Sequence, residues 1–293
     1  MVAWYFLVAI SAALMSASTI VEKFALKAEH ASAYSSDATL LIAVISLILI
    51  PFANFHITLW EVALIYIMSL TSTTTYLLTA RTYKHADVSA ASPIISTLPP
   101  IFTVLLAFLF LHEGLYISQY LFIGALAVLA YLLLFKKSKD AKVKYFERGL
   151  YINYLFVTTL LMAVGAILTK YILSLGVSII TLFVIIGLSV AFNMFIYMTI
   201  KYGGIKEMGR NLAKHPLPLI TTSSLALGYR LAYYAAASVA FISLVSPLRQ
   251  SINIVVVVLA GAIIFKESDV VRKIVISMMM FACVYFIINP ITL

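Results

Sequence analysis

The sequence has few charged residues and almost no cysteine. Lysine, arginine, aspartate and glutamate make up 11% of its 293 residues, whereas a soluble domain carries about 25%. The single cysteine, Cys283, excludes an internal disulfide and a cysteine metal site. The sequence also lacks a phosphate-binding glycine loop, a catalytic triad and histidines at metal-ligand spacing. We therefore expect neither an enzyme nor a need for a metal or cofactor.

Apolar residues dominate the composition instead. They account for 63% of the chain, against about 45–50% in soluble domains. The net charge of +9 lies in short connections between apolar runs, which is typical of membrane-flanking lysine and arginine rather than of nucleic-acid binding. We predict an integral membrane protein whose large-scale partner is the lipid bilayer, with no nucleic-acid partner.

The apolar runs number ten, and most are close to the roughly 20 residues that cross a bilayer as a helix. They are too long for barrel strands, so helices are expected. The predicted segments are 2–22, 35–53, 59–80, 88–111, 116–135, 149–172, 176–200, 217–238, 240–265 and 270–289. We predict a first five-helix repeat over residues 1–135, a basic linker over 136–148 and a second five-helix repeat over 149–293.

A shift of 154 residues relates the two halves. It places five residues of the second half on five of the first, in the order Ser243, Ser246, Pro247, Gln250 and Ser251 on Ser89, Ser92, Pro93, Ser96 and Thr97. It also places Arg230 on Tyr76 and Glu267 on Glu113. An odd number of spans in each half inverts the second half. Inverted repeats are typical of transporters with a binding site near the midplane.

The distribution of lysine and arginine predicts the orientation. Most of these residues follow helices one, three, five, seven and nine. The positive-inside rule places those connections in the cytoplasm and both chain ends outside.

The whole arrangement resembles the drug/metabolite transporter superfamily, specifically its EamA-type members. The resemblance rests on ten helices in two repeats, on the end of helix one with Lys23, and on one proline–glutamate pattern in each half: Ser92-Pro93, Pro99 and Glu113, then Ser246-Pro247 and Glu267. It implies an all-α integral membrane fold of two inverted five-helix repeats. It also implies a carrier of the cytoplasmic membrane that exports or exchanges small metabolites by alternating access.

Two arginines lie at mid-depth in apolar helices. Arg249 is about 14 Å from the start of its segment by helical rise, where a charge costs at least about 2.5–3.5 kcal/mol. Arg230 reaches a comparable depth from the other face. Guanidinium groups suit carboxylate and phosphate. We predict that both face a central cavity and bind an anionic or zwitterionic substrate. The alternative is a structural arginine tied to backbone carbonyls that Pro247 frees.

The remaining candidate residues surround these arginines in the sequence. The predicted substrate-binding set adds Gln250, Asn253, Tyr76, Tyr229, Tyr233, Tyr234, Ser92, Ser96 and Ser246, with interhelical hydrogen bonding as the alternative. Pro93 and Pro247 are predicted hinges or else static kinks. Lys23 and Lys170 are predicted gates or else snorkelling lysines. Glu113 and Glu267 either pair with lysines or neighbouring helix N-termini, or couple protons.

The function that these residues favour is secondary transport of an amino acid or another small carboxylate-bearing solute. A sugar-phosphate or nucleotide-sugar exchanger would share this architecture. A carrier of cationic drugs is a further alternative, but it would need a buried carboxylate to bind the cation, and we identify none in the middle of a helix. A monomer suffices because one chain holds both repeats, although a dimer is compatible with the sequence.

Overall fold

The computed structural model describes residues 3–25, 31–85, 88–134, 145–202, 216–264 and 270–290. In these ranges the protein folds into ten α-helices and one short 3-10 helix at Ile50–Phe52. The α-helices are α1 (Trp4–Ala25), α2 (Ala31–Leu47), α3 (Leu59–His85), α4 (Val88–Leu111), α5 (Ile117–Leu134), α6 (Tyr145–Ser174), α7 (Ile179–Tyr202), α8 (Pro216–Val239), α9 (Ile242–Ile264) and α10 (Val270–Ile288). The predicted all-α fold with ten helices is confirmed.

The helices have the length and surface of membrane spans. Among the described residues, five helices are long and apolar enough to cross a membrane, over spans of 19 to 23 residues: Trp4–Glu22, Leu59–Thr79, Asn153–Ser174, Ile179–Lys201 and Ile242–Ala260. Large apolar side chains face outward, as at Phe110 and Ile200, which are 69% and 81% exposed. A bilayer accommodates such a surface, which water would not. The chain is a multi-pass membrane protein.

Several helix boundaries differ by a few residues from the sequence-based prediction. The second helix ends at Leu47 rather than near residue 53, because Pro51 favours a short 3-10 turn over continuation of the α-helix. The chain beyond it bonds to the start of α7, where the Asn54 amide donates to Thr181 Oγ1 at 2.9 Å. The sixth helix begins at Tyr145 rather than 149.

The packing of the helices repeats between the two halves. Helix α1 packs against α8 and α9, and its repeat counterpart α6 packs against α3 and α4. Three counterpart pairs also pack directly on each other: α2 with α7, α4 with α9, and α5 with α10. Buried side chains such as Ile65, Phe183 and Leu248 fill the space between the halves. This exchange of partners is what a pseudo-twofold axis between two inverted repeats produces.

Helices α1 and α8 approach closely at Gly228. A Cβ atom at this position would lie 2.9 Å from Leu14 Cδ1. One residue on, the Ser11 hydroxyl donates to the Tyr229 carbonyl at 2.7 Å. The absent side chain at residue 228 therefore allows a small-residue contact typical of membrane helices.

We expect Gly228→Val to destabilise the protein by about 1–3 kcal/mol, because valine would force Leu14 or α1 itself away from α8. Unfolding in mixed detergent micelles measures this change. Gly124→Val is the matched control, since a Cβ at Gly124 has no atom of the described residues within 4 Å. Equal losses in the two variants would show that helix propensity, not the α1–α8 contact, determines the effect.

Candidate functional site

Helices α3 and α8 meet through a pair of residues that the internal repeat relates. Arg230 Nη2 donates a hydrogen bond to the Tyr76 hydroxyl, and the two residues are 154 positions apart. That separation equals the repeat shift. Equivalent residues of a twofold arrangement touch each other only beside the axis. The Arg230–Tyr76 contact therefore marks the pseudo-twofold axis, where binding sites of inverted-repeat transporters lie.

Tyrosines surround the Arg230 guanidinium. Its Cζ atom lies 6.0 Å from the centre of the Tyr229 ring. The ring of Tyr234 is 5.9 Å from that of Tyr233, and Tyr234 is near enough to interact electrostatically with both Arg230 and Arg249. Arg230 lies deep in the bundle, yet it is half-buried rather than fully buried.

Arg249 lies on the other side of the Tyr233–Tyr234 pair. Its guanidinium Cζ is 4.0 Å from the centre of the Tyr233 ring, close enough for a strong cation–π contact. Its Nε atom is buried and has no hydrogen-bond partner among the described residues. The face of an aromatic ring is a weaker hydrogen-bond acceptor than a carbonyl or carboxylate oxygen. A guanidinium group carries five N–H donors. Arg249 thus has donor capacity that the described residues leave unused.

The predicted polar face of α9 divides between two neighbours. Asn253 is 7% exposed, and its Oδ1 accepts a hydrogen bond of 2.9 Å from Ser16 of α1. Gln250 instead lines a void of about 10 Å³ together with Ser96 and Pro247. That volume holds one water molecule at most. Ser246 is half-buried on the same helix.

The structure therefore brings part of the predicted set together. Arg230, Tyr76, Tyr229, Tyr233, Tyr234 and Arg249 form one cluster, whereas Asn253 faces α1 and Gln250 and Ser96 face the α4–α5 side. The side chains of Lys23, Ser92 and Pro93 lie outside the described part of the protein.

Lys170 lies at the end of α8 rather than free at the surface. Its Nζ atom donates to the carbonyls of Ala237 and Ala240, both at 2.8 Å. Carbonyls at a helix C-terminus have no partner within the helix and carry the negative end of its dipole. A lysine there supplies both a donor and the complementary charge. The chain turns at residues 239–241, which we name the α8–α9 corner.

Glu113 binds the other side of the α8–α9 corner. Its Oε1 accepts from the Ile242 amide at 3.0 Å, and its Oε2 accepts from the Ser243 amide at 2.9 Å and the Ser243 hydroxyl at 2.6 Å. The carboxylate is 4% exposed, so these bonds form away from water. One of the predicted alternatives for Glu113, pairing with a neighbouring helix N-terminus, describes this contact. Tyr233 interacts electrostatically with both Glu113 and Arg249.

Three polar features within the bundle were not found from the sequence. Asp37 in α2 is 1% exposed and was missed because its short polar run resembles a helix end. Ser16 was missed because a serine in an apolar helix is common. Asn193 of α7 donates to Ser69 at 3.0 Å and accepts from Tyr66 at 3.2 Å. A lone asparagine in an apolar run is the signal that could have identified this contact.

We expect Tyr76→Phe to destabilise the protein by about 1–3 kcal/mol, because a guanidinium would lose its hydroxyl acceptor at the axis. Thermal unfolding of the purified protein measures the change. Tyr66→Phe is the matched control, since that hydroxyl bonds only to the neutral Asn193 amide and Tyr66 is 41% exposed. A larger loss at Tyr66 would contradict the central position assigned to the Arg230–Tyr76 pair.

Comparison with known proteins agrees with this architecture. Residues 2–136 match the EamA-like transporter family. A solved crystal structure superposes with a TM-score of 0.76 over 97% of this chain and 95% of that chain, at 10% sequence identity. At that identity the likeness shows the fold alone, and it extends over both halves. No curated protein matches the chain significantly.

Proposed function

We propose that this chain, whose residues 2–136 match the EamA-like transporter family, is a secondary transporter of a small carboxylate-bearing solute. The family match supports a membrane transporter of the drug/metabolite type. The finer proposal is that the cargo is an amino acid or a similar organic anion or zwitterion, moved across the cytoplasmic membrane by alternating access. One chain holds both repeats, so a monomer suffices.

The observation that carries the proposal is the state of Arg249. Its Nε is buried without a partner among the described residues, and its guanidinium carbon lies 4.0 Å from the centre of the Tyr233 ring. A buried donor without an acceptor costs about 1–3 kcal/mol, and more when it is charged. A substrate carboxylate would remove that cost and add a bidentate, charge-assisted pair. The proposed site is thus preorganised for an anionic group.

The remaining parts of the cluster suit the rest of a small solute. Arg230 already bonds to Tyr76, so it supplies positive potential without needing the substrate as its partner. The rings of Tyr229, Tyr233 and Tyr234 offer flat apolar faces and hydroxyls. Such a mixture of apolar walls and few polar groups is typical of small-molecule sites.

We assign the gate at one face of the bundle to the contacts around the α8–α9 corner. Lys170 and Glu113 hold that corner with two and three hydrogen bonds. This face is where α4, α6 and α8 end, and the lysine and arginine distribution predicts that it faces the outside. For this face to open, those bonds must break. Lys23, which lies near the end of helix one as Lys170 does near the end of helix six, is proposed for the opposite face.

Pro247 is the proposed hinge of this gate. It lies inside α9, between Ser243 at the α8–α9 corner and Arg249 at the cluster. Proline removes a backbone hydrogen bond, so the helix bends more easily there. Substrate at Arg249 would then act on the part of α9 after Pro247, and the contacts at the α8–α9 corner would act on the part before it. Pro93 is proposed to play the same part in α4.

A stability screen tests the cargo class. The detergent-solubilised protein is heated with amino acids, organic acids, phosphate esters and quaternary amines, and any compound that stabilises it enters counterflow assays in proteoliposomes. Ligands stabilise the folded state by mass action. We expect stabilisation by carboxylates. Stabilisation by amines alone would contradict the proposal.

The second candidate is a sugar-phosphate or nucleotide-sugar exchanger, which the Arg249 fork favours because phosphate and carboxylate share its geometry. Trans-stimulation by phosphate compounds inside the vesicle would identify it. A cationic drug carrier is a further candidate, because Asp37 is a carboxylate buried within α2. The Glu113 carboxylate, by contrast, already binds the start of α9.

A further inference from the structure

A groove between α4 and α5 lies away from the axis. It has a volume of about 400 Å³, within the range of roughly 300–1,000 Å³ for small-molecule sites. Its floor is buried, with Thr97, Val104 and Ile123 no more than 7% exposed. Its rim is open, with Leu105 and Val128 54% and 60% exposed. Both helices contribute their middle turns, so the groove faces the centre of the bilayer.

Small residues of α5 create this groove. A Cβ atom at Gly124 would meet no atom of the described residues within 4 Å, and Ala127 lines the groove one turn further on. The repeat shift places Met278 and Phe281 at the equivalent positions of α10. The second half therefore carries bulky side chains where the first half has almost none. The groove is a property of the first repeat and not a general result of packing these helices.

The floor of the groove adjoins the seam between the repeats. Thr97, Ile123 and Ala127 also border the small void that Pro247 and Gln250 line on its far side. A molecule in the groove therefore contacts the same residues of α4 and α5 that border the void next to Pro247 of α9.

We infer that the groove binds one acyl chain of a membrane phospholipid. Its rim is continuous with the lipid-facing surface, and no charged side chain of the described residues lines it. Water has too few polar partners there to fill such a volume. The solute proposed for the axis bears a carboxylate, which this lining would leave without a partner. Phospholipid chains are the apolar molecules that the surroundings supply.

Native mass spectrometry tests the inference without using transport. Wild-type, Gly124→Leu and Gly114→Leu proteins are reconstituted with phosphatidylethanolamine and phosphatidylglycerol, extracted in mild detergent and weighed. Gly114 is the matched control, because it too has open space but lies in the connection before α5 and outside the groove. We expect the wild-type fraction with one retained phospholipid to fall at least about fivefold in Gly124→Leu. It should be unchanged in Gly114→Leu.

Equal lipid retention by all three proteins would overturn the inference. So would a wild-type dimer that carries no lipid and that Gly124→Leu dissociates, because a second copy would then fill the groove. If Gly124→Leu fails to fold, a phospholipid with a photoreactive acyl chain is cross-linked to the wild-type protein. Labelling of peptides that contain Leu105 or Val128 supports the site, and labelling only elsewhere contradicts it.

Discussion

Arg249→Gln should lower the rate of substrate transport by at least about 30-fold in proteoliposomes. The guanidinium is buried at Nε without a partner among the described residues, so the substrate anion would be its partner. Removing one member of a buried charge pair costs about 2 kcal/mol or more, which corresponds to the stated factor. The loss should appear mainly in the apparent affinity, with the protein still folded, because Arg249 makes few bonds that stabilise the empty state.

Two variants control this result. Arg272→Gln removes a guanidinium that is exposed and, among the described residues, donates to the Leu132 carbonyl at 3.0 Å, so transport should be unchanged. Arg249→Lys keeps the charge but loses the planar fork, and an intermediate rate is expected. Full activity of Arg249→Gln would contradict the anion site, and an equal loss in Arg272→Gln would attribute the effect to net charge.

Glu113→Gln should destabilise the closed face by about 2–4 kcal/mol. The two carboxylate oxygens accept from three donors at the start of α9. Glutamine has one acceptor oxygen in place of two. Its NH₂ group would face a backbone N–H at the start of α9, so that two donors would oppose each other. Charge-assisted hydrogen bonds contribute about 1.5–3 kcal/mol, and the helix dipole adds to them. The face should therefore open more often. Accessibility is measured with a thiol reagent on a cysteine introduced by Ser246→Cys. This cysteine should react at least about tenfold faster in the Glu113→Gln protein than in the protein that keeps Glu113.

Glu61→Gln is the matched control for Glu113→Gln. Glu61 also binds a helix start, accepting from the Thr58 amide at 2.6 Å and from the Thr58 hydroxyl at 2.9 Å. That contact is exposed, so its loss should cost about 1 kcal/mol or less and leave the labelling rate unchanged. Labelling should be measured with Cys283, the only native thiol, replaced by alanine. Equal effects of the two glutamine variants would contradict a gate at the α8–α9 corner.

Features with a strong local or periodic signal were predictable from the sequence. Long apolar runs require helices in a membrane, and the repeat shift relates Arg230 to Tyr76. The resemblance to the EamA-type transporters, which the match over residues 2–136 supports, followed from the order of prolines and glutamates across both halves. These features depend on composition and spacing, which the chain displays directly.

Features that depend on how helices rotate and meet were not predictable in the same way. Spacing placed Gln250 and Asn253 on one face of α9. The position of α1 beside α9 decides that Asn253 accepts a hydrogen bond from Ser16. Glu113 accepts hydrogen bonds from three donors that lie 129 and 130 residues further along the chain. No local sequence pattern indicates a contact over that separation. Asp37 was missed because a buried carboxylate and a carboxylate at a helix end look alike in sequence.

The central claim is that Arg249 recognises the negative charge of the substrate. Isothermal titration with the best carboxylate ligand and its methyl ester, in the wild-type protein and in Arg249→Gln, tests it most directly. We predict that the wild-type protein binds the carboxylate at least about tenfold more tightly than the ester, and that Arg249→Gln binds both equally weakly. A tenfold preference that persists in Arg249→Gln, or an ester that binds the wild-type protein as tightly as the acid, would contradict the claim.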